Sequence, residues 1–243
     1  AANAAMGGAT QVASALEMFV SNFQTAFNPQ LIQSYASKDF DNHKKLLFRA
    51  SKYSYFLLLI MLIPIVTNID FILNLWLTEV PEYTNYFITY ILISYLFNAI
   101  STPFVTSLFA TGAIKSYQIS LGVTFLIGLI IVYVALFLGA EPYSVSVVAI
   151  FMQLVMLVSR LYFTHKHIGF SYRQFFMNVL VPIIMVTFLS MIPSCILKVW
   201  STSIWQIILS ITIEITSTAL LILLIGMSSG ERDYIIKSIK QKI

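Results

Sequence analysis

Residues 117–139 read YQISLGVTFLIGLIIVYVALFLG, and this run decides the fold. It holds no Asp, Glu, Lys or Arg, and its length meets the ~20 apolar residues a helix needs to cross the hydrocarbon core of a bilayer. Comparable runs recur at about 9–35, 52–69, 84–112, 143–164, 174–197 and 204–227. Inside lipid each backbone N–H and C=O must find its partner within the segment, which leaves the helix as the form of such a run. The expected fold is all-α: a polytopic transmembrane helical bundle of about seven spans occupying 1–243. The composition agrees. The chain is 58% hydrophobic and 10% charged with a mean hydropathy of +0.86, against about 25% charged residues in soluble domains.

The breaks between the runs are too short for a soluble domain. Between the second and third runs, Asp70–Val80 (DFILNLWLTEV) is too short and too amphipathic to cross, and reads as an interfacial helix capped by Asp70 and anchored by Trp76. Cys195 is the one cysteine, so neither a disulfide nor a CxxC zinc site forms within the chain, and it reads as a small core residue. The chain opens at Ala1 without a basic n-region, so no signal peptide is read and the opening is expected to be that of a fragment.

The charges predict an orientation. Thirteen of the fourteen basic residues lie on one side, on breaks or near the ends of runs: Lys38, Lys44, Lys45, Arg49, Lys52, Lys115, Arg160, Lys166, Arg173, Arg232, Lys237, Lys240 and Lys242. Only Lys198 lies on the other, with Glu79, Glu82, Glu141 and the three tryptophans Trp76, Trp200 and Trp205. By the positive-inside rule the crowded side is cytoplasmic, so the N-terminus of this chain lies outside and its C-terminus inside. The basic collar fits anionic membrane lipids. It does not fit nucleic acid, because the charges are scattered over separate loops.

The first run departs from plain hydropathy. In steps of four and three, Asn3, Gly7, Thr10, Ser14, Glu17, Ser21, Gln24 and Asn28 fall along one stripe of a helix, while Val12, Leu16, Phe19, Val20, Phe23, Phe27 and Leu31 occupy the other faces. Such a stripe faces either a water-filled cavity or a polar partner helix. With the carboxylate of Glu17 and the amides of Gln24 and Asn28 on it, we read a cavity wall.

The stretch Ala1–Asp39, with Asn28-Pro29 near one end followed by Ser34-Tyr35-Ala36 and Asp39, resembles the oligosaccharide flippases. These belong to the superfamily that also holds the multidrug and toxin extrusion antiporters and the lipid II flippase. Ile72–Tyr83 (ILNLWLTEVPEY) looks like the outer end of the matching helix pair. The resemblance implies two pseudo-symmetric bundles around a central cavity and alternating access, with this chain as the C-terminal bundle and an N-terminal bundle of the same polypeptide as its partner. It implies a lipid-linked oligosaccharide as cargo, moved across the bacterial inner membrane for O-antigen, capsule or exopolysaccharide assembly. No covalent chemistry, catalytic residue, metal or cofactor is implied.

On this reading the substrate cavity takes Ser14, Glu17, Ser21, Gln24, Asn28 and Asn98. Glu17 and Glu214 are the candidates for a coupling ion; for Glu214 a plain bond to a neighbouring helix stands equally open. Arg160, Lys44 and Lys45 are the candidates for the diphosphate headgroup, although each also serves as a topology signal, and the main phosphate ligands are expected in the other bundle. Pro64, Pro103, Pro182 and Pro193 lie within spans, and Pro29 and Pro103 are the hinge candidates, Pro103 because Asn98, Ser101 and Thr102 can satisfy the carbonyls it frees. Asn68 reads as a possible sugar contact beside the Asp70 cap. His165 and His167 read as a solvated loop, since i and i+2 do not share a helix face. Two other classes stay in play: an ion-coupled drug or cation antiporter of the same superfamily, and a membrane polysaccharide polymerase or acyltransferase. The latter needs a sizeable loop or catalytic cluster that the sequence does not display.

Overall fold

The computed structural model describes residues 2–77, 79–200, 203–228 and 230–232; the side chains of Ala2, Ala4, Val199 and Trp200 lie outside that description, as do Thr78, Lys237, Lys240 and Lys242. The described residues are helical almost throughout. The order is α1 (Ala2–Ala36), α2 (Phe40–Thr67), the short α3 (Ile69–Trp76), α4 (Thr84–Thr111), α5 (Lys115–Phe137) and α6 (Ser144–Ile168). A long helix α7 follows, built of Tyr172–Phe175, a π-helical turn Phe176–Leu180 and Val181–Trp200. The last, α8, runs Ile204–Leu221 and ends in a second π-helical turn, Ile222–Gly226.

Six of these helices, α2 and α4 to α8, are long and apolar enough to cross a membrane. The remaining long helix, α1, has 35 residues, and its polar stripe separates it from the others in hydropathy. Helix ends depart from the hydropathic edges for local reasons. Asp39 accepts a hydrogen bond from the Asn42 backbone N–H at 3.2 Å and starts α2 at Phe40, so Lys44, Lys45, Arg49 and Lys52 sit on helical turns ahead of the apolar run. The α6 helix continues to Ile168, where Gly169 at φ 69° terminates it. His165 and His167 therefore belong to its last turn and not to a loop; His165 Nδ1 lies 2.6 Å from the Phe170 carbonyl. Asp70 is not a cap either. It stands in the first turn of α3, where an acidic residue meets the positive helix end, and Asn68 holds the cap position with its side chain turned away.

The core lies where α1, α2 and α4 meet and extends to the start of α7. Ala5, Ala9 and Ala13 are fully buried at four-residue spacing, which lets α1 approach its neighbours closely. At one end of the bundle the rings of Phe48 and Phe104 each pack edge-on or tilted against both Phe170 and Phe175, at 5.4–5.8 Å. At the other end Tyr83, in a left-handed turn, sets its ring 5.8 Å from Tyr143. Its phenol is pushed up to about 12 by hydrogen bonding to Glu141, aided by desolvation and by Glu82. By contrast α5 buries little beyond Tyr117, Thr124 and Gly128, and its exposed face is almost wholly apolar, as a lipid-facing helix requires. Cys195 is exposed on α7, not part of the core, because it lies on the face that borders an apolar cavity of about 460 Å³ shared with α2 and α4.

Candidate functional site

The polar stripe of α1 straddles the edge of its packing face, and it divides accordingly. Glu17, Gln24 and Asn28 lie on the side next to α4 and bond to it. The Asn98 amide Nδ2 donates to Glu17 Oε1 at 3.1 Å, the Gln24 amide Nε2 donates to the Ala99 carbonyl at 3.1 Å, and the Thr106 hydroxyl donates to Asn28 Oδ1 at 3.0 Å. Ser14 and Ser21 are exposed, together with Gln11, Asn22 and Thr25, although the Ser14 hydroxyl is also hydrogen-bonded to Tyr95 of α4. Cavity and helix glue are thus both present, on adjacent edges of one helix. A cavity of about 110 Å³ opens between them, lined by Glu17, Ser21 and Gln24 of α1, Leu58 of α2, and Tyr95, Asn98 and Thr102 of α4.

Arg160 enters this site from α6. It is buried, 8% exposed, with its Nη1 donating to Asn98 Oδ1 at 3.1 Å and to the Ser101 hydroxyl, and its Nε donating to the Tyr117 hydroxyl at 3.0 Å. Asn98 therefore presents its carbonyl to a cation and its N–H to an anion, the one orientation of the amide that satisfies both. Four helices, α1, α4, α5 and α6, are tied by this relay. The amide sets the two charges on either side of it, a distance at which they still attract in a low dielectric. Lys44 and Lys45 lie elsewhere, on the first turns of α2; Lys44 pairs with Asp41 at 3.8 Å on the surface.

The hinge candidates sit inside unbroken helices. Pro103 has no N–H to give the Ala99 carbonyl four residues earlier, and that carbonyl is the one Gln24 takes. The hydroxyls of Ser101 and Thr102 both donate to the Asn98 carbonyl, at 3.2 and 2.9 Å. Pro29 lies in α1, and the Thr25 hydroxyl upstream of it donates to the Ser21 carbonyl at 2.8 Å.

Glu214 is apart from this site. It is fully buried between α8 and the end of α2, where Asn68 Nδ2 reaches Oε2 at 3.4 Å and Oε1 has no hydrogen-bond partner within the described residues. Ser210 donates to Asn68 Oδ1 at 3.4 Å, so Asn68 is held by the same small cluster.

One buried polar residue has no counterpart in the sequence reading. His43 is fully buried; its Nδ1 lies 3.0 Å from both the Leu31 carbonyl and the Ser34 hydroxyl, and its Nε2 lies 3.0 Å from the Ser107 hydroxyl. A single histidine at a helix start carries no local pattern, and its partners come from two other helices, α1 and α4. Among the described residues no group of three His, Cys, Asp or Glu side chains could hold a metal ion.

Compared with known families, residues 1–134 match the model of the MatE family. No curated protein and no solved structure matches the chain.

Proposed function

The chain belongs to the MatE family, and from that premise we propose that it forms one wall of the translocation path of a lipid-linked oligosaccharide flippase. The family is one of membrane exporters within the multidrug, oligosaccharidyl-lipid and polysaccharide superfamily. What supports the finer reading is the Asn98 amide standing between Glu17 and Arg160. It balances the one carboxylate of the site against a guanidinium, so the wall next to the cavity offers neutral hydrogen-bonding groups. A lipophilic cation is drawn by an unbalanced carboxylate among aromatic rings. A glycan is held by amides and hydroxyls, and the exposed edge of α1 presents these at Gln11, Ser14, Ser21, Asn22 and Thr25.

The cargo is taken to be an undecaprenyl-diphosphate-linked oligosaccharide of O-antigen, capsule or exopolysaccharide assembly, in a bacterial inner membrane with the basic collar cytoplasmic. A second bundle, the N-terminal one, faces the exposed edge of α1 and completes the cavity; the two rock between open states, with Pro103 at the flexible point of α4. An ion-coupled antiporter is the alternative, and Glu214 favours it, since a buried carboxyl with one unpartnered oxygen is a place for a proton or cation. The two readings separate in a flippase-null strain that expresses the full transporter. Restored glycan export without added resistance to cationic drugs is expected. Drug resistance without glycan export would replace the flippase reading with the antiporter.

A further inference from the structure

At the end of the bundle where α2 and α7 begin and α8 ends, a cavity of about 380 Å³ lies between the three helices. Lys45, Arg49 and Lys52 line it at steps of four and three, one face of α2, and Asn178 adds an amide from α7. Against these three cations the cavity holds one carboxylate, Glu231. That carboxylate bridges two of them: Oε1 takes Arg49 Nε at 2.9 Å and Oε2 takes Lys52 Nζ at 2.9 Å, with the Ser228 backbone N–H donating to Oε2 at 2.9 Å. Lys45 makes no ion pair among the described residues. The rest of the wall is apolar, from Phe48, Met177 and Ile225.

We propose that this cavity binds the phosphate of an anionic lipid headgroup, with Glu231 as an internal occupant that the phosphate displaces. The two carboxylate oxygens of Glu231 mark where phosphate oxygens would sit, since guanidinium and ammonium donors take either anion in the same geometry. A phosphate carries more acceptor oxygens than a carboxylate and reaches Lys45 and Asn178 as well. The apolar wall accommodates the first carbons of the lipid, and basic pockets between membrane helices are a known kind of headgroup site.

The backbone carries a second, independent mark. The two π-helical turns of the described residues both line this cavity, Met177 and Asn178 from Phe176–Leu180 and Ile225 and Gly226 from Ile222–Gly226. Such turns cost helix regularity and are frequent at functional sites. Here they widen the approach between α7 and α8 that the cavity needs. The glycine at 226 makes that approach possible against α2, because a Cβ there would lie 2.7 Å from Phe56 Cε2.

The experiment is thermal unfolding of the purified protein in detergent, titrated with dioleoylphosphatidylglycerol, with dioleoylphosphatidylcholine and with inorganic phosphate. Phosphatidylglycerol is expected to raise the midpoint and phosphatidylcholine to leave it unmoved. Lys45→Ala, on an exposed side chain, should keep the lipid-free midpoint and weaken the phosphatidylglycerol response about fivefold. Glu231→Gln should tighten it, because the competing anion is gone. Equal responses to the two lipids, no effect of Lys45→Ala, or a weaker response in Glu231→Gln would overturn the proposal. A shift with inorganic phosphate that equals that with phosphatidylglycerol would assign the site to a free anion and overturn the lipid assignment.

Discussion

The side-chain amide of Gln24 donates to the backbone carbonyl of Ala99 at 3.1 Å, and that carbonyl is the one Pro103 leaves without a helical partner. A defect in one membrane helix is thus repaired by a polar residue of another. The repair also fixes the register between α1 and α4 beside the Glu17–Asn98 contact.

Gln24→Leu should therefore destabilise the bundle by about 1–2 kcal/mol, above the ~0.6 kcal/mol mean for membrane hydrogen bonds, because a buried carbonyl is left bare. Pro103→Ala restores the missing N–H and should recover most of that loss in the double variant. Thermal midpoints of the four proteins form the cycle. Additive losses would mean that Gln24 and the proline are independent.

Arg160→Met should cost more than the double variant Arg160→Met with Glu17→Leu. Removing one partner of a buried charged relay leaves the other uncompensated, at about 3–5 kcal/mol, whereas replacing both removes the desolvation burden too. Membrane-inserted yield and thermal midpoint measure this. A double variant worse than either single one would show that Asn98 does not couple the two charges.

Much of this arrangement was legible in the sequence, and the rest has identifiable reasons for being hidden. Hydropathy is a property of one helix, so the runs at 84–112, 117–139 and 204–227 correspond closely to α4, α5 and α8. The stripe from Ser14 to Asn28 was equally visible, since periodicity is local. Its division was not: the side on which α4 packs decides that Glu17, Gln24 and Asn28 are bonded and at least half-buried while Ser14 and Ser21 stay exposed. The same holds for Arg160, which reads as a headgroup ligand or topology signal near the end of its run and which the fold buries against Asn98. Ion pairs between α2 and Glu231 join residues 182 and 179 positions apart, and no local pattern marks them. The mistaken cap at Asp70 came from reading the helix start two residues too late, since Asn68 rather than the acidic residue stands outside the helix.

Gly226→Ala should cost about 1–3 kcal/mol by overpacking, because the buried Phe56 ring, 2.7 Å from the added carbon, cannot swing aside without disturbing the core. Phe56→Leu in the same protein makes room and should recover part of the loss. Denaturation midpoints in one detergent decide it, and an unchanged midpoint in Gly226→Ala would mean that α2 and α8 are looser here than the structure has them.

Glu231 gives a pH dependence with a definite sign. Burial pushes its carboxyl up, but the Ser228 N–H and Lys52 outweigh burial and hold it at about 2, against an ordinary value of 4.5. A depressed carboxyl contributes stability that is present above about 4.5 and is lost as pH falls through about 2. The cations facing it, Lys45, Arg49 and Lys52, remain charged throughout that window. The difference in midpoint between the wild type and Glu231→Gln should be constant from pH 8 to pH 5, by the same linkage, and shrink toward roughly pH 3. A difference that grows on acidification would contradict the pairing of Glu231 with Arg49 and Lys52.

The wall assigned to the translocation path is tested most directly by the rate at which the full transporter moves an undecaprenyl-diphosphate-linked oligosaccharide across a proteoliposome bilayer, per molecule of protein. Ser21 and Asn22 are exposed, and no side-chain hydrogen bond ties either to another helix among the described residues, so Leu at both positions should leave the thermal midpoint unchanged. The rate should nevertheless fall about tenfold or more, the effect of losing roughly 1.4 kcal/mol of transition-state contact. Met18→Leu, on the exposed apolar flank of the same helix, should keep the wild-type rate. Wild-type translocation per molecule in the Ser21→Leu, Asn22→Leu protein would contradict the assignment of this edge of α1 to the cargo's path.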